Sequence, residues 1–373
     1  MRGGVDVKNL SLFKGGISTF LRAVLPGLVD LDTSIRYIAI GPAEGLLGLP
    51  SGMEQVPLEL SKWLGSVRLP VYDQWQLRCA LNRKKVDLFY SPYFDAPLGM
   101  CIPTVVTMCD AVHFRYSEFY PWRQRVYYKS LMRLHGSRAS AIVTISEFSK
   151  AELVELVGIN PDKIHVISLA LPLSFVPPLL GNADPEILRR YNLPSDYVLY
   201  TGGVEVRKNI GGMLKAYTIW QELRRDIPPL VLTGDKTRFE LYRDELEKLG
   251  IGRGVYFVGR VTDEHLPHIY AGALSVIYPS FYEGFGFPLL EAMASGVPIV
   301  CSRRASMPEI GGNAAFYFEP DQPDDIIAAL EAVTGSLELR AELVAKGNIR
   351  LQDFTLDKTI KALGRVIASV IGS

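Results

Sequence analysis

The chain has 373 residues, 48% of them hydrophobic, with 40 basic and 40 acidic side chains. That length suits two domains, each able to bury its own core, and a net charge of zero argues against nucleic-acid binding as the main role. Cys79, Cys101, Cys109 and Cys301 lack C-x-x-C or His-paired spacing, which excludes a zinc or disulfide framework and fits reduced thiols in a cytosol; neither a signal-peptide apolar stretch nor a bilayer-length run is present.

Residues 5–10 read as a first strand, after which Gly15-Gly16-Ile17-Ser18-Thr19-Phe20 opens an apolar helix ending near Leu28. Such a glycine-rich βα turn leaves free backbone N–H groups that suit an anion. A second strand at 34–41, a loop over 41–57 rich in Gly and Pro, and another strand at 63–69 follow. Strands at 87–91 and 104–108 enclose the loop Tyr93-Phe94-Asp95-Ala96-Pro97. Residues 121–138 form a helix that sets Arg123, Arg125, Lys129, Arg133 and Arg138 among Trp122, Tyr127, Tyr128, Leu131 and Met132. A basic, aromatic face of this kind suits anionic lipid head groups or a lipid-diphosphate, and a solvated helix packed on its own sheet gives the same pattern. A strand at 141–145 precedes a helix capped by Ser146, and residues 163–168 finish the first domain. Pro172, Pro177, Pro178, Pro185 and Pro194 mark residues 171–194 as the linker.

The second domain restarts with a strand at 197–201 closed by Gly202 and Gly203, followed by Arg207, Lys208 and a helix through Glu222. A guanidinium fork and an ammonium at such a turn grip a diphosphate, each charged hydrogen bond contributing roughly 1.5–3 kcal/mol. Strands at 230–233 and 255–259, the second ending at Arg260 and Val261, and a short helix at 263–273 lead to residues 273–312, the stretch around which the rest is organised. There a strand at 274–278 is closed by Pro279, the loop Glu283-Gly284-Phe285-Gly286-Phe287-Pro288 follows, residues 289–294 are helical, and a strand occupies 299–301. This is a parallel βαβ unit whose loop lies at the carboxyl end of a strand and the amino end of a helix, where N–H groups favour an anion. Gly284 and Gly286 allow close backbone approach. Glu283 and Glu291 stand eight residues apart, so both carboxylates can face one cleft and accept from vicinal hydroxyls of a sugar or ribose. A strand at 315–318, helices at 324–330 and 338–347, and a last helix at 354–371 complete the chain.

The pattern E-G-F-G-F-P-x-x-E-A-M-A-x-G-x-P, running from Glu283 to Pro298, resembles the E-x7-E signature of retaining GT-B glycosyltransferases of family 4. The T-x-S-E-F-S-K stretch at 144–150 and Glu309-Ile310-Gly311-Gly312 are similar to further patterns of that family. The resemblance implies an α/β GT-B fold with two Rossmann-like domains facing each other across a cleft. Residues 1–176 would bind the acceptor, with the helix 355–373 packing back on them, and residues 177–354 would bind the nucleotide sugar. It also implies that Gly15 and Gly16 close over the donor diphosphate while Gly203, Arg207 and Lys208 meet it from the second domain. Many relatives have an arginine at the position of Gly203; Arg207 supplies that cation here. Arg260 and Val261 would line the nucleotide base, and Gly284, Phe285, Gly286, Phe287 and Leu290 the loop and helix start. Glu291 would take the ribose hydroxyls and Glu283 those of the donated sugar. Cys109 stands where the family often has a histidine, which leaves Asp110 to orient an acceptor hydroxyl and His113, three residues on, either to reach inward or to remain a loop histidine.

The implied function is retaining transfer of a hexose from GDP-mannose or a UDP-hexose to a glycan or lipid-linked acceptor in polysaccharide biosynthesis. Glu283, Lys208, Arg207 and Asp110 would form the reaction centre, with no cofactor beyond the donor and no metal. Asp30-Leu31-Asp32 matches the D-x-D of metal-using transferases only formally, since it lies at a helix end and reads as surface charge. A cytoplasmic enzyme that touches the inner face of a membrane through residues 121–138 is expected, with no nucleic-acid partner. Two alternatives are a nucleotide-sugar 2-epimerase on the same scaffold and an inactive sugar-nucleotide binding protein, the latter suggested by Cys109.

Overall fold

The computed structural model describes residues 1–12, 16–59, 68–178, 182–234 and 254–371. Two compact units emerge, Met1–Pro172 with Thr355–Ser373, and Leu173–Phe354. Among the described residues no helix is long and apolar enough to cross a membrane.

The first unit is built on strands β1 (Arg2–Asp6), β2 (Arg36–Gly41), β3 (Glu54–Pro57), β4 (Leu88–Ser91), β5 (Thr104–Thr107), β6 (Ala141–Thr144) and β7 (Ile164–Val166). They form one parallel sheet in the order β3-β2-β1-β4-β5-β6-β7. β4 and β6 are buried along their whole length and β1, β2 and β5 at all but their first residue, as expected when helices cover both faces. The first strand begins earlier than the sequence suggests because Gly3 and Gly4 belong to it. A Cβ on Gly4 would lie 2.7 Å from Leu81 Cδ2, so these glycines serve close packing and not a loop. Residues 9–12 are already helical. β3 lies within the stretch read as loop; it is an edge strand, where Pro57 costs no ladder bond. The strand expected at 63–69 is not found at its described end: residues 63–67 lie outside the described residues, and Arg68–Val71 is helical, continuing through a π-helical turn, Tyr72–Leu77, into Arg78–Arg83.

The helix Gly16–Leu31 and the last helix, Leu356–Ser369, pack through glycines. A Cβ on Gly27 would collide with Ile360, and one on Gly364 with Leu31. Thr359 Oγ1 also donates to the Ser168 carbonyl at 2.9 Å.

At the carboxyl end of β1 the first unit buries a charge cluster that the sequence did not announce. Lys8, 2% exposed, places its Nζ 3.2 Å from Asp6 Oδ2 and 3.0 Å from Asp95 Oδ2, and it pairs with Asp73 Oδ1 as well. Tyr72 donates to Asp6 Oδ1 at 3.1 Å. The three carboxyls come close enough to chelate a cation, and the cation lying among them is the Lys8 ammonium. Burial, then the Asp95 charge, push Asp73 up to about 8 against the pull of Lys8. β1 and β4 are neighbours from which the chain proceeds in opposite directions, the switch point of the sheet.

The second unit holds β8 (Tyr197–Thr201), β9 (Leu230–Thr233), β10 (Val255–Gly259), β11 (Ala273–Tyr278), β12 (Ile299–Ser302) and β13 (Ala315–Phe318). Its parallel order is β10-β9-β8-β11-β12-β13. The helices Ile210–Leu223 and Pro323–Gly335 pack together over it, tied by Trp220 Nε1 donating to Glu331 Oε1 at 2.9 Å. Residues 171–194 are not all linker. Asp184 accepts from the Glu186 amide and Pro185 suits the first helical position, so Pro185–Arg190 is a helix. The helix expected over 263–273 is confined to Leu266–Ala271, since β11 already begins at Ala273.

Candidate functional site

β8 and β11 lie side by side at the centre of the second sheet, and the turns at their carboxyl ends carry the charged residues. After β8 a 3-10 turn, Val206–Lys208, is closed by Asn209 in the left-handed region at φ 55°, and the helix Ile210–Leu223 begins. Asn209 is held by its Nδ2 donating to the Pro320 carbonyl at 2.6 Å. The Phe281 amide donates to the Arg207 carbonyl at 2.8 Å, stitching this turn to the loop after β11. Ser306 Oγ binds the carbonyls of Glu283 and Phe285 at 2.9 and 2.8 Å and fixes that loop in turn. Gly286 takes φ 108°, a conformation that strains any residue with a Cβ, and it opens the helix Phe287–Ala294 with Pro288 in its first turn.

These supports converge on Glu283, which is 7% exposed. Arg207 donates to its Oε2 at 2.8 Å. Its Oε1 accepts from Tyr278 OH at 2.9 Å and Ser280 Oγ at 3.2 Å and is ion-paired with Lys208. Lys208 Nζ also donates to Tyr278 OH at 2.8 Å. Burial alone would push the Glu283 carboxyl up; the Lys208 ammonium, then the Arg207 guanidinium and the hydrogen bonds, hold it below the usual carboxylate range. Glu283 is therefore an anion in a cradle of two cations and two hydroxyls.

Glu291 lies on the helix Phe287–Ala294 and accepts from Tyr270 OH through Oε2 at 2.5 Å. Burial raises its carboxyl to about 6, with a further push from Asp263 and an opposing pull from Tyr270 and Lys208. Lys208 thus acts on both glutamates. The fold brings Arg207, Lys208, Glu283 and Glu291 into one neighbourhood of the second unit.

The remaining sequence candidates are placed differently. Gly203 follows β8, and its carbonyl accepts from Tyr200 OH at 2.7 Å. Gly284 and Phe287 stand in the loop and at the helix start. The Phe285 ring is core, packed against Phe287 and Phe354 at 5.6 and 5.9 Å, and the Leu290 side chain is fully buried, so these two offer a ligand backbone only. Arg260 and Val261 follow β10, which β9 separates from β8. Gly15 lies outside the described residues; Gly16 begins its helix in the first unit. Asp110, also in the first unit, accepts at 3.0 Å from the amide of Val112, the first residue of the short helix Val112–Arg115. Burial pushes the neighbouring Cys109 thiol up to about 12, leaving it neutral. His113 is packed inward among aromatic rings, stacked on Tyr128 at 4.2 Å with Tyr120 at 4.6 Å, and burial lowers it to about 4. On the helix Trp122–Arg138, Trp122, Val126 and Tyr127 are exposed.

Sequence reading missed Tyr270, Tyr278, Ser280 and Ser306. Tyr278 ends a mainly apolar strand, buried from Ser275 on, and a phenol at such a position needs a polar partner; the other three give no local signal.

The family model described as Glycosyltransferase Family 4 matches residues 14–175, and that described as Glycosyl transferases group 1 matches residues 186–350. O-antigen chain mannosyltransferase B of Escherichia coli is 35% identical over 280 residues, covering 74% of this chain and 72% of the relative. Among solved structures, sucrose-phosphate synthase from Thermosynechococcus elongatus superposes with TM-score 0.80 at 16% identity, covering 100% of this chain and 99% of that one. Anabaena Alr3699/HepE in complex with UDP-glucose gives TM-score 0.76 at 16% identity over 99% and 100% of the two chains.

Proposed function

This chain belongs to glycosyltransferase family 4, with the GT-B fold, and from that premise we propose that it transfers a hexose with retention and without a metal, from a nucleoside-diphosphate sugar to a glycan or lipid-linked acceptor in polysaccharide biosynthesis. The observation that carries this reading is the Glu283 cradle. Negative charge grows on the diphosphate as the glycosidic bond breaks, so fixed cations at that point lower the barrier. Arg207 and Lys208 are fixed cations, immobilised by Glu283 and by the turn after β8. A diphosphate against them competes with Glu283 for the same N–H donors, and the carboxylate oxygens it releases turn to sugar hydroxyls. A carboxylate that already accepts from a guanidinium and two hydroxyls is a poor nucleophile, which favours hydroxyl binding as the role of Glu283. Glu291 takes the ribose, and the start of the helix Phe287–Ala294 adds positive dipole.

The similarity to an O-antigen mannosyltransferase favours GDP-mannose as donor, and the UDP-glucose complex of a structural neighbour keeps UDP-hexoses as the second choice. The exposed Trp122, Val126 and Tyr127, with Arg123, Arg125 and Lys129, suit a peripheral contact with anionic lipid near a lipid-linked acceptor. The test is turnover of GDP-mannose and UDP-hexoses in EDTA, with product configuration read by NMR. The proposal expects activity that EDTA leaves intact and a product with the donor's anomeric configuration. An inverted product, or activity lost in EDTA and restored by manganese, contradicts it.

A further inference from the structure

Behind Glu291 stands a hydroxyl relay whose direction is set by chemistry. Tyr270, fully buried on the helix Leu266–Ala271, lies 2.5 Å from Glu291 Oε2 and 2.5 Å from Thr201 Oγ1. A phenol has one proton and an ionised carboxylate only accepts, so that proton goes to Glu291 and the Thr201 hydroxyl donates to the phenol oxygen. Thr201 is the last residue of β8, which anchors the relay to the central sheet. Phe175 packs edge-on against the Tyr270 ring at 5.7 Å and 77°, restricting its swing. Among the described residues, Glu291 Oε1 takes no hydrogen bond from the protein.

We propose that Tyr270 is a positioning residue for nucleotide recognition: it pins Oε2 of Glu291 so that Oε1 is presented, in a fixed rotamer, to the vicinal hydroxyls of the donor ribose. This rests on the reading of Glu291 given above. A free glutamate side chain would lose rotamer entropy on meeting two hydroxyls at once; a side chain already pinned loses little. The charged and titratable groups facing Glu291 are Asp263 from the segment after β10, Lys208 from the turn after β8 and Tyr270 itself. Of these Tyr270 and Lys208 favour the carboxylate and Asp263 opposes it. Hydroxyl binding needs the acceptor form, so ribose affinity falls as pH drops through about 6, and loss of the phenol moves that fall to higher pH.

The experiment is calorimetric titration of the full chain with UDP, GDP and their 2′,3′-dideoxy counterparts from pH 5 to 8. Tyr270→Phe is expected to weaken whichever of UDP or GDP the unaltered protein binds by about tenfold, the scale of one hydrogen bond to a charged group. It should shift the acid midpoint upward and leave the dideoxy affinity unchanged. Thr201→Val, which removes the donor behind the phenol, should act in the same direction and more weakly. An equal loss on the dideoxy nucleotide, or an unmoved acid midpoint, overturns the proposal. Glu291→Gln binding UDP and GDP as the unaltered protein does would instead overturn the ribose assignment itself, whatever Tyr270→Phe shows.

Discussion

Replacing Glu283 with alanine lowers kcat about 10³-fold while nucleoside-diphosphate affinity stays constant or rises. The carboxylate is expected to hold two sugar hydroxyls by charged hydrogen bonds, each contributing about 1.5–3 kcal/mol, and their loss is felt in the transition state, where the sugar carries positive charge. The nucleotide behaves in the opposite sense because Glu283 currently takes N–H donors of Arg207 and an ion pair from Lys208. Removing it leaves those cations for the diphosphate. Steady-state kinetics with the active donor, and titration with the matching nucleoside diphosphate, separate the two effects. Unchanged turnover refutes the role given to Glu283, and a parallel loss of nucleotide binding shows that it serves only to hold the cations.

Replacing Lys8 with methionine destabilises the protein by about 3–5 kcal/mol, the scale for breaking a buried ion pair from one side. The ammonium is 2% exposed and is shared by Asp6, Asp73 and Asp95, so its loss strands three carboxyls in a dry site. The sign with pH is opposite to that of an ordinary surface aspartate. Burial, then the Asp95 charge, raise the folded Asp73 from the ordinary 3.8 to about 8, so its contribution is full below about pH 4 and is lost as pH rises through 8. In Lys8→Met the loss should be smaller at pH 5, where the carboxyls can take up protons, than at pH 8. Adding Asp73→Asn and Asp95→Asn should restore much of the stability, which separates charge burial from lost packing. Urea unfolding measures all three. A Lys8→Met protein as stable as the parent at pH 8 contradicts this account of the cluster.

The βαβ unit around Glu283 was legible because its signals are local: an aliphatic strand ended by proline, two glycines, and a helix carrying the second glutamate eight residues on. The strands between β4 and β13 were legible for the same reason, each being a short, mainly apolar run bounded by turn residues, although β7, β10 and β13 are only partly buried. β1 was misplaced because two glycines in a strand resemble a loop until Leu81 and Ile35 are seen against them. β3 was missed because an edge strand tolerates a proline, which elsewhere marks a loop. At the site, sequence reading found the charged residues and missed the hydroxyls that orient them. Tyr278, five residues before Glu283, and Tyr270, on the helix before β11, acquire their roles only through strand order and helix placement. The Lys8 cluster was hidden for the same reason, since Asp73 and Asp95 reach it from 65 and 87 residues along the chain.

The central claim is that Arg207 and Lys208, delivered by one turn beside Glu283, neutralise the departing diphosphate. It is tested most directly by comparing nucleoside diphosphate with nucleoside monophosphate binding in EDTA, in the unaltered protein and in Arg207→Ala with Lys208→Ala. The unaltered protein should prefer the diphosphate by about 10²-fold, the scale of two charge-assisted contacts, and the double variant should bind both alike. A preference that survives the double substitution, or that appears only when a divalent cation is added, would contradict the claim.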